Sequence, residues 1–231
     1  MMALAPQPYA CEYCKKGFMK ENTLFVHVCE QKRRALAKTE KHVVVGYDAF
    51  NRFFKHVQRS SFADKTYDEF AKSPYYNAFV KFGSFVSNVN PLYPDRFIEY
   101  VITSGVKLDH WCREELYEKY VLDLIRTESV NTALERSITH MVSWGDNQKA
   151  VWNHYFLYVS TSRALYDIKD GKVSPWIILN SNNGKALLKK FNDEQLGSIS
   201  NIIDLPFWIS KFKKLPADVA LVKEVVKESH I

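Results

Sequence analysis

The 231-residue chain carries a formal net charge of +6, and 46% of its residues are hydrophobic, 25% charged and 14% aromatic. This composition favours a folded protein with a sizeable apolar core and excludes a disordered chain. The length allows one large domain, or a small module joined to a medium one.

The start of the chain and its cysteines predict where the protein resides. The first ten residues lack the charged and apolar regions of a signal peptide, and no run approaches the ~18 apolar residues of a membrane span. Three of the four cysteines cluster near a histidine and Cys112 stands alone, unlike a secreted disulfide framework. We expect a soluble, intracellular protein, in the cytoplasm or a host-cell interior, that is not secreted.

The first predicted element is a metal-binding segment over residues 8–30. Cys11 and Cys14 have two residues between them, a spacing that lets both thiolates of a tight knuckle face one tetrahedral metal. Twelve residues then lead to His27. The segment is too small to fold without a metal.

This segment resembles the zinc finger of the two-cysteine, two-histidine type. Six residues stand where that family's consensus has them: Tyr9, Cys11, Cys14, Phe18, Leu24 and His27. The resemblance covers only residues 8–30 and implies a ββα unit with Phe18 and Leu24 as its small core. It departs from the family at the fourth ligand, which the family places three to five residues after the first histidine.

Cys29 is the predicted fourth ligand, although only one residue separates it from His27. Residues two apart on a helix point about 200° apart, so both can face one ion only if the helix unwinds at or just after His27. His42 is a poorer candidate because it would close a long loop. Mixed thiolate and imidazole ligands favour one structural Zn²⁺, bound by Cys11, Cys14, His27 and Cys29.

Two other uses of these cysteines fit less well. A redox pair of the Cys-x-x-Cys type requires a strand and helix context that the sequence lacks, and it leaves His27 unexplained. A catalytic zinc requires an open coordination position and a nearby general base, and four protein ligands leave no such position.

Basic residues follow and flank the predicted finger. Residues 1–41 contain eight Lys and Arg against four Glu, which favours nucleic acid over a membrane as partner, a solvated basic face being the alternative. In the docking mode of the resembled family, a helix beginning near Glu21 would meet base edges through Lys20, Asn22, Thr23 and Val26. One finger covers about three base pairs, so phosphate contacts are also expected from Lys15, Lys16, Lys32, Arg33 and Arg34. We predict DNA rather than RNA.

The remaining chain is interpreted as a basic, helix-favouring connector over 31–41 and an all-α domain of eight to ten helices over 42–231. The segment 174–179 opens like a helix, although its apolar run also fits a strand. Apolar spacing, capping residues and prolines predict helices at 43–57, 66–70, from 73, from 94 to about 105, 109–128, 131–144, 152–166, 192–204, from 206 and 217–228.

The helical domain contains no phosphate loop, dinucleotide fingerprint or nucleophile elbow. Aromatic residues between 75 and 85 could stack on bases, but their spacing of three and four favours a helix core. A second basic candidate is formed by Lys211, Lys213 and Lys214. An enzymatic site would have to converge from distant residues such as His110, Glu114 or His154.

The sequence therefore predicts a zinc-finger accessory protein that binds nucleic acid during replication, transcription or genome handling, and a helical domain that binds another protein. A single finger joined to an unfamiliar helical domain resembles bacteriophage or bacterial proteins more than eukaryotic multi-finger regulators. One alternative is a protein adaptor, scaffold or virion component that does not bind nucleic acid. The other is an enzyme with its site in the helical domain, which we consider the weaker reading.

Overall fold

The computed structural model describes residues 8–58 and 63–231. In these ranges the chain has fifteen α-helices, three 3-10 turns and one two-stranded sheet, so the mostly α-helical class is confirmed. Thirteen of the helices begin at Lys41 or later, so the eight to ten predicted over 42–231 were too few. No helix in the described ranges is long and apolar enough to cross a membrane.

The chain divides into two compact units, residues 1–113 and 114–231. The boundary predicted near residue 42 lies inside the first unit, and the separate folding of 8–41 stays a prediction.

The first unit begins with a hairpin of β1 (Tyr9–Ala10) and β2 (Gly17–Phe18). Its helices, in chain order, are α1 (Glu21–Phe25), α2 (Glu30–Leu36), α3 (Lys41–Gln58), α4 (Tyr67–Lys72), α5 (Tyr76–Val89) and α6 (Pro94–Thr103). Two 3-10 turns occupy Ala37–Thr39 and Leu108–His110.

An aromatic core holds the helices of the first unit together. Helices α3 and α5 approach closely because Gly83 faces the backbone of α3, where a Cβ would lie 2.0 Å from the carbonyl oxygen of His42. The rings of Phe79 and Phe82 lie 5.7 and 5.1 Å from Trp111, whose indole N–H donates to the carbonyl of Val106. Aromatic side chains of α5 thus form core, as their spacing indicates.

Within the described residues 114–231, the second unit has no β-strand and consists of α-helices and one 3-10 turn. It contains α7 (Glu114–Thr127), α8 (Val130–Gln148), a 3-10 turn (Trp152–His154), α9 (Tyr155–Tyr158), α10 (Thr161–Lys169), α11 (Pro175–Asn180), α12 (Asn182–Leu188), α13 (Asp193–Ile199), α14 (Leu205–Lys214) and α15 (Pro216–Glu228). Trp176 and Trp208 are buried in its core with ring centroids 5.9 Å apart.

Several predicted helix boundaries were wrong, and local capping explains one of them. The predicted helix 152–166 is interrupted because Val159 is extended and the side chain of Ser160 accepts the N–H of Arg163, which starts α10. The helix predicted over 109–128 begins only at Glu114. The ambiguous segment 174–179 is helical, since the Ser174 hydroxyl caps α11 by accepting the N–H of Trp176. The helix predicted to reach residue 204 ends at Ile199, and α12 was not predicted.

Candidate metal centre

The β1–β2 hairpin positions the first two cysteines. Its strands pair Tyr9 with Phe18 in antiparallel register. In the turn between the strands, the N–H of Cys11 donates to the carbonyl of Lys16 and the N–H of Lys15 donates back to Cys11, each at 2.9 Å. Lys15 has a left-handed φ of 61°, a conformation that is uncommon for a residue with a side chain and that closes this turn.

A break between α1 and α2 positions the other two candidate ligands. Helix α1 ends at Phe25 and has Val26 as its C-cap, so the helix stops before His27 rather than at or just after it. Cys29 is extended and is the N-cap of α2. The interruption that the His27 and Cys29 spacing requires is therefore present, and it is followed at once by a new helix.

The four side chains converge on one point. The ligand atoms of Cys11, Cys14, His27 and Cys29 all lie within 4.8 Å of one another, and this group could hold a metal ion. The Cys11 and Cys29 sulfurs are 3.9 Å apart, and the Cys14 sulfur lies 3.3 Å from Nε2 of His27. A tetrahedron with zinc–sulfur bonds of about 2.3 Å has edges of about 3.8 Å. The distance between the Cys11 and Cys29 sulfurs is close to this edge, and the sulfur–nitrogen distance of Cys14 and His27 is shorter, in the direction expected from the shorter zinc–nitrogen bond.

The Cys29 sulfur has a second interaction, because it accepts the backbone N–H of Lys32 at 3.4 Å. An N–H donor stabilises negative charge on a thiolate. The Lys32 N–H would therefore orient the Cys29 sulfur and tune its affinity for a metal. Cysteine is not one of the usual N-cap residues, so the only sequence signal for this helix start was the acidic Glu30 in the first turn of α2.

The two hairpin thiols have opposite pKa shifts. A hydrogen bond from the Cys14 backbone holds the pKa of the Cys11 thiol below its usual value. The backbone of Lys16 lowers the pKa of the Cys14 thiol, but desolvation and hydrogen bonds with Cys11 and Cys29 outweigh it and raise this pKa above its usual value. Three clustered thiols cannot all ionise easily on their own, and a divalent cation removes this repulsion.

Residues 8–30 have almost no apolar core besides the cluster. Cys11 is the one buried residue in this range. The Phe18 ring packs against the His27 ring with a centroid distance of 4.8 Å, and Leu24 is half-buried. So small a core contributes little to offsetting the entropy of ordering the segment, and a metal held by the four side chains would add to its stability.

The predicted nucleic-acid contacts fall into two groups. Most are exposed, namely Lys15, Lys16, Lys20, Asn22, Thr23, Val26 and Arg33, and Lys32 is half-buried. Arg34 differs because its side chain is only 16% exposed. Its guanidinium donates to the carbonyl of Ala71 at 2.7 Å, pairs with Glu30 and lies 4.4 Å from the centroid of the Tyr76 ring. The hydroxyl of Tyr67 in turn donates to the carbonyl of Arg34. Arg34 therefore attaches α2 to α4 and α5.

Exposed apolar side chains on the same segment were not predicted as a functional feature. Phe25 is 84% exposed, Val26 72%, Val28 63% and Met19 60%. Phe25 also borders a hollow of 410 Å³ whose other lining residues include Tyr13, Lys32, Glu12 and Glu21. These exposed apolar side chains lie in the same segment as the four candidate metal ligands.

The residues considered for an enzymatic site lie in separate elements. His110 closes the Leu108–His110 turn of the first unit. In the second unit, Glu114 begins α7, and His154 ends the Trp152–His154 turn with its ring 5.6 Å from that of Tyr158. This arrangement offers no reason to assign them a shared chemistry.

Comparisons with known proteins found no match to a family model, to a curated protein or to a solved structure.

Proposed function

We propose that residues 8–36 form a zinc finger whose single structural Zn²⁺ is held by Cys11, Cys14, His27 and Cys29, and whose basic surface binds nucleic acid. The observation that carries the proposal is the convergence of three thiols and one imidazole within 4.8 Å. Three sulfur ligands and one nitrogen ligand suit tetrahedral zinc better than the harder or redox-active metals.

The zinc is structural in this proposal. When bound, it cross-links the hairpin, the end of α1 and the start of α2, and its four protein ligands leave no position for a substrate. Metal analysis of the purified protein should find one zinc per chain. Cys29→Ala should lower this to well below one, and a Cys29→Ala protein that kept one tightly bound zinc would remove Cys29 from the ligand set.

The nucleic-acid part of the proposal rests on charge. Residues 1–113 contain 17 Lys and Arg against 11 Asp and Glu, whereas residues 114–231 contain 15 of each. The whole excess charge of +6 thus belongs to the unit that carries the finger, and Lys15, Lys16 and Lys20 are exposed on it. Cations presented together attract a polyanion through counterion release.

Within this proposal Arg34 serves packing, and the phosphate contacts come from the exposed cations Lys15, Lys16, Lys20 and Arg33, with Lys32 beside them. DNA is the preferred partner, and the protein acts as an accessory factor in replication, transcription or genome handling. The helical remainder binds a protein partner. One finger alone binds weakly, so these charges supply much of the affinity.

The test is a salt titration of binding to single-stranded DNA, duplex DNA and RNA. The triple variant Lys15→Ala, Lys16→Ala, Lys20→Ala should lower both the affinity and the slope of log affinity against log salt, the slope by about two to three. The matched control replaces Lys72, Lys81 and Lys107, which are exposed lysines of the same unit, and should bind like the unchanged protein. Absence of binding to all three nucleic acids at low salt would refute the proposal.

A protein adaptor is the second candidate, because Phe25, Val26 and Val28 are exposed on the same segment. Exposed apolar clusters of this kind are typical of protein-binding surfaces. If this candidate is right, the triple variant Lys15→Ala, Lys16→Ala, Lys20→Ala should retain the protein's function.

A further inference from the structure

Around α1, the chain has both cations and exposed apolar side chains. This combination suits single-stranded nucleic acid better than a duplex. Lys16 and Lys20 flank Met19 in the sequence, and Phe25 lies five residues beyond Lys20 with 84% of its surface exposed. Duplex DNA presents phosphates and base edges, but its base faces are stacked inside the helix. A single strand presents phosphates and base faces together.

Helix α1 is poorly suited to reading a duplex. It has five residues, which give a length of about 7.5 Å at 1.5 Å per residue. Base reading by a finger uses side chains spread over about two turns of helix that enters a groove about 12 Å wide. Of the four residues predicted to meet base edges, Lys20 has the usual place just before the helix, but Val26 lies beyond its last residue, as the C-cap of α1.

Phe25 is well placed to stack on an unpaired base. It borders the 410 Å³ hollow, whose lining also includes Tyr13, Glu12, Glu21 and Lys32. An exposed aromatic ring offers a face for stacking, a lysine can pair with the adjacent phosphate, and carboxylates accept hydrogen bonds from exocyclic amino groups of adenine or cytosine. The hollow, whose lining also includes the candidate metal ligands Cys11 and His27, therefore offers groups for a base and for a phosphate at the edge of the metal site.

We propose that the finger binds single-stranded nucleic acid in preference to duplex, with an unpaired base stacked on Phe25 and the backbone following Lys15, Lys16 and Lys20. This inference rests on the proposed function, since it names which nucleic acid the finger binds. The partner contains bases with exocyclic amino groups, and the finger reads them without entering a groove.

The test uses the zinc-loaded full chain and a labelled 15-nucleotide strand of alternating adenine and cytosine, which cannot pair with itself. Fluorescence anisotropy compares this strand with its duplex at the same salt concentration. We expect the single strand to bind at least about tenfold more tightly. Phe25→Ala should weaken its binding by about fivefold to 150-fold, the range that stacking on one aromatic side chain gives, and Phe25→Trp should restore it.

The control is Leu36→Ala, which removes another exposed apolar side chain, 67% exposed at the end of α2, and should leave the affinity unchanged. Zinc content of one per chain in Phe25→Ala shows that the finger remains folded. Equal or tighter binding of the duplex, or an unchanged single-strand affinity in Phe25→Ala, would overturn the inference and leave the proposed function standing. No binding of either oligonucleotide would overturn the inference, and no binding of RNA at low salt in addition would also refute the proposed function.

Discussion

The two units of the chain differ in net charge and in how deeply their charged side chains are buried. In residues 1–113, the 17 basic residues outnumber the acidic ones by six, and cations such as Lys15, Lys16 and Lys20 are exposed. Residues 114–231 have equal numbers of basic and acidic residues, and several pair inside the unit. Ion pairs in the first unit, such as that of Arg52 with Asp48, are partly exposed, whereas the second unit also contains pairs whose side chains are buried.

Buried polar groups show this internal use of charge most clearly. The side chains of Glu128 and Arg136 are 2% and 7% exposed and form a two-point ion pair. Arg136 also donates to the carbonyl of Gly171 at 2.7 Å. Asp167, fully buried, accepts hydrogen bonds from Tyr155 and Arg163 at 2.9 and 3.0 Å. The two units should therefore lose stability under different conditions, the first on loss of a metal and the second on loss of a buried partner or in acid.

Metal removal should have the largest effect and should be confined to one end of the first unit. Structural zinc contributes about 10 to 16 kcal/mol to the folding of finger peptides, and residues 8–30 have little other core. We expect a strong chelator to abolish amide hydrogen-exchange protection over residues 8–36. Protection over residues 114–231 should stay the same, which is the internal control. Full protection of 8–36 in the chelated protein would show that this segment folds without metal.

Breaking the buried ion pair should have the next largest effect, in the second unit. Arg136→Ala leaves Glu128 charged and buried without its partner, which costs about 3 to 5 kcal/mol. The measurement is the free energy of unfolding in urea. The matched control is Lys169→Ala, since Lys169 is 42% exposed and 4.0 Å from Glu118, and such surface pairs contribute up to about 1 kcal/mol. Zinc content should be unchanged in both variants. Equal costs for the two would mean that the buried pair contributes no more than a surface pair.

The smallest expected effect concerns Asp167 and pH. Burial raises the pKa of this carboxyl, but hydrogen bonds and charge from His140, Tyr155 and Arg163 outweigh burial and hold the pKa below its usual value of 3.8. The Asp167 carboxylate therefore contributes its full share of the folding stability at pH values above 3.8. This contribution is lost as the pH falls through the lower pKa of the native state.

Asp167→Asn should therefore cost about 1 to 3 kcal/mol at pH 7, and its unfolding free energy should depend less on pH below about pH 4. Urea unfolding at pH 7 and at successively lower pH values measures both. Asp146→Asn, an exposed position on α8, is the control and should resemble the unchanged protein. An Asp167→Asn protein with the same acid dependence as the control would contradict the assignment.

Local signals allowed part of the fold and the centre of the candidate site to be predicted. The Thr66 and Glu69 capping box was predicted from spacing and is present with both of its hydrogen bonds. The spacing of the cysteines and His27 likewise predicted a cluster that the structure brings together. Both depend on residues close in sequence, whose geometry is set by one turn of chain.

Features that depend on distant residues were not predicted. Arg34 contacts Ala71, 37 positions later, so nothing near Arg34 in the sequence distinguishes it from Arg33. The break at Val159 had a local signal in Ser160, but continuous apolar spacing on both sides favoured one helix. Tertiary packing selected the capped alternative, which periodicity alone does not reveal.

Cys29 is both a candidate metal ligand and the N-cap of α2, and this determines how long an isolated peptide of the finger must be. A peptide that stops at Glu30, where the family resemblance ends, would keep all four metal-binding side chains but lose the Lys32 N–H that the Cys29 sulfur accepts. It would also lose Arg34, through which α2 is fastened to α4 and α5. A fusion protein that carries this segment therefore needs residues up to 36. Even then, the segment would have no fixed orientation unless the other protein supplied groups that replace Ala71 and Tyr76 as contacts of Arg34.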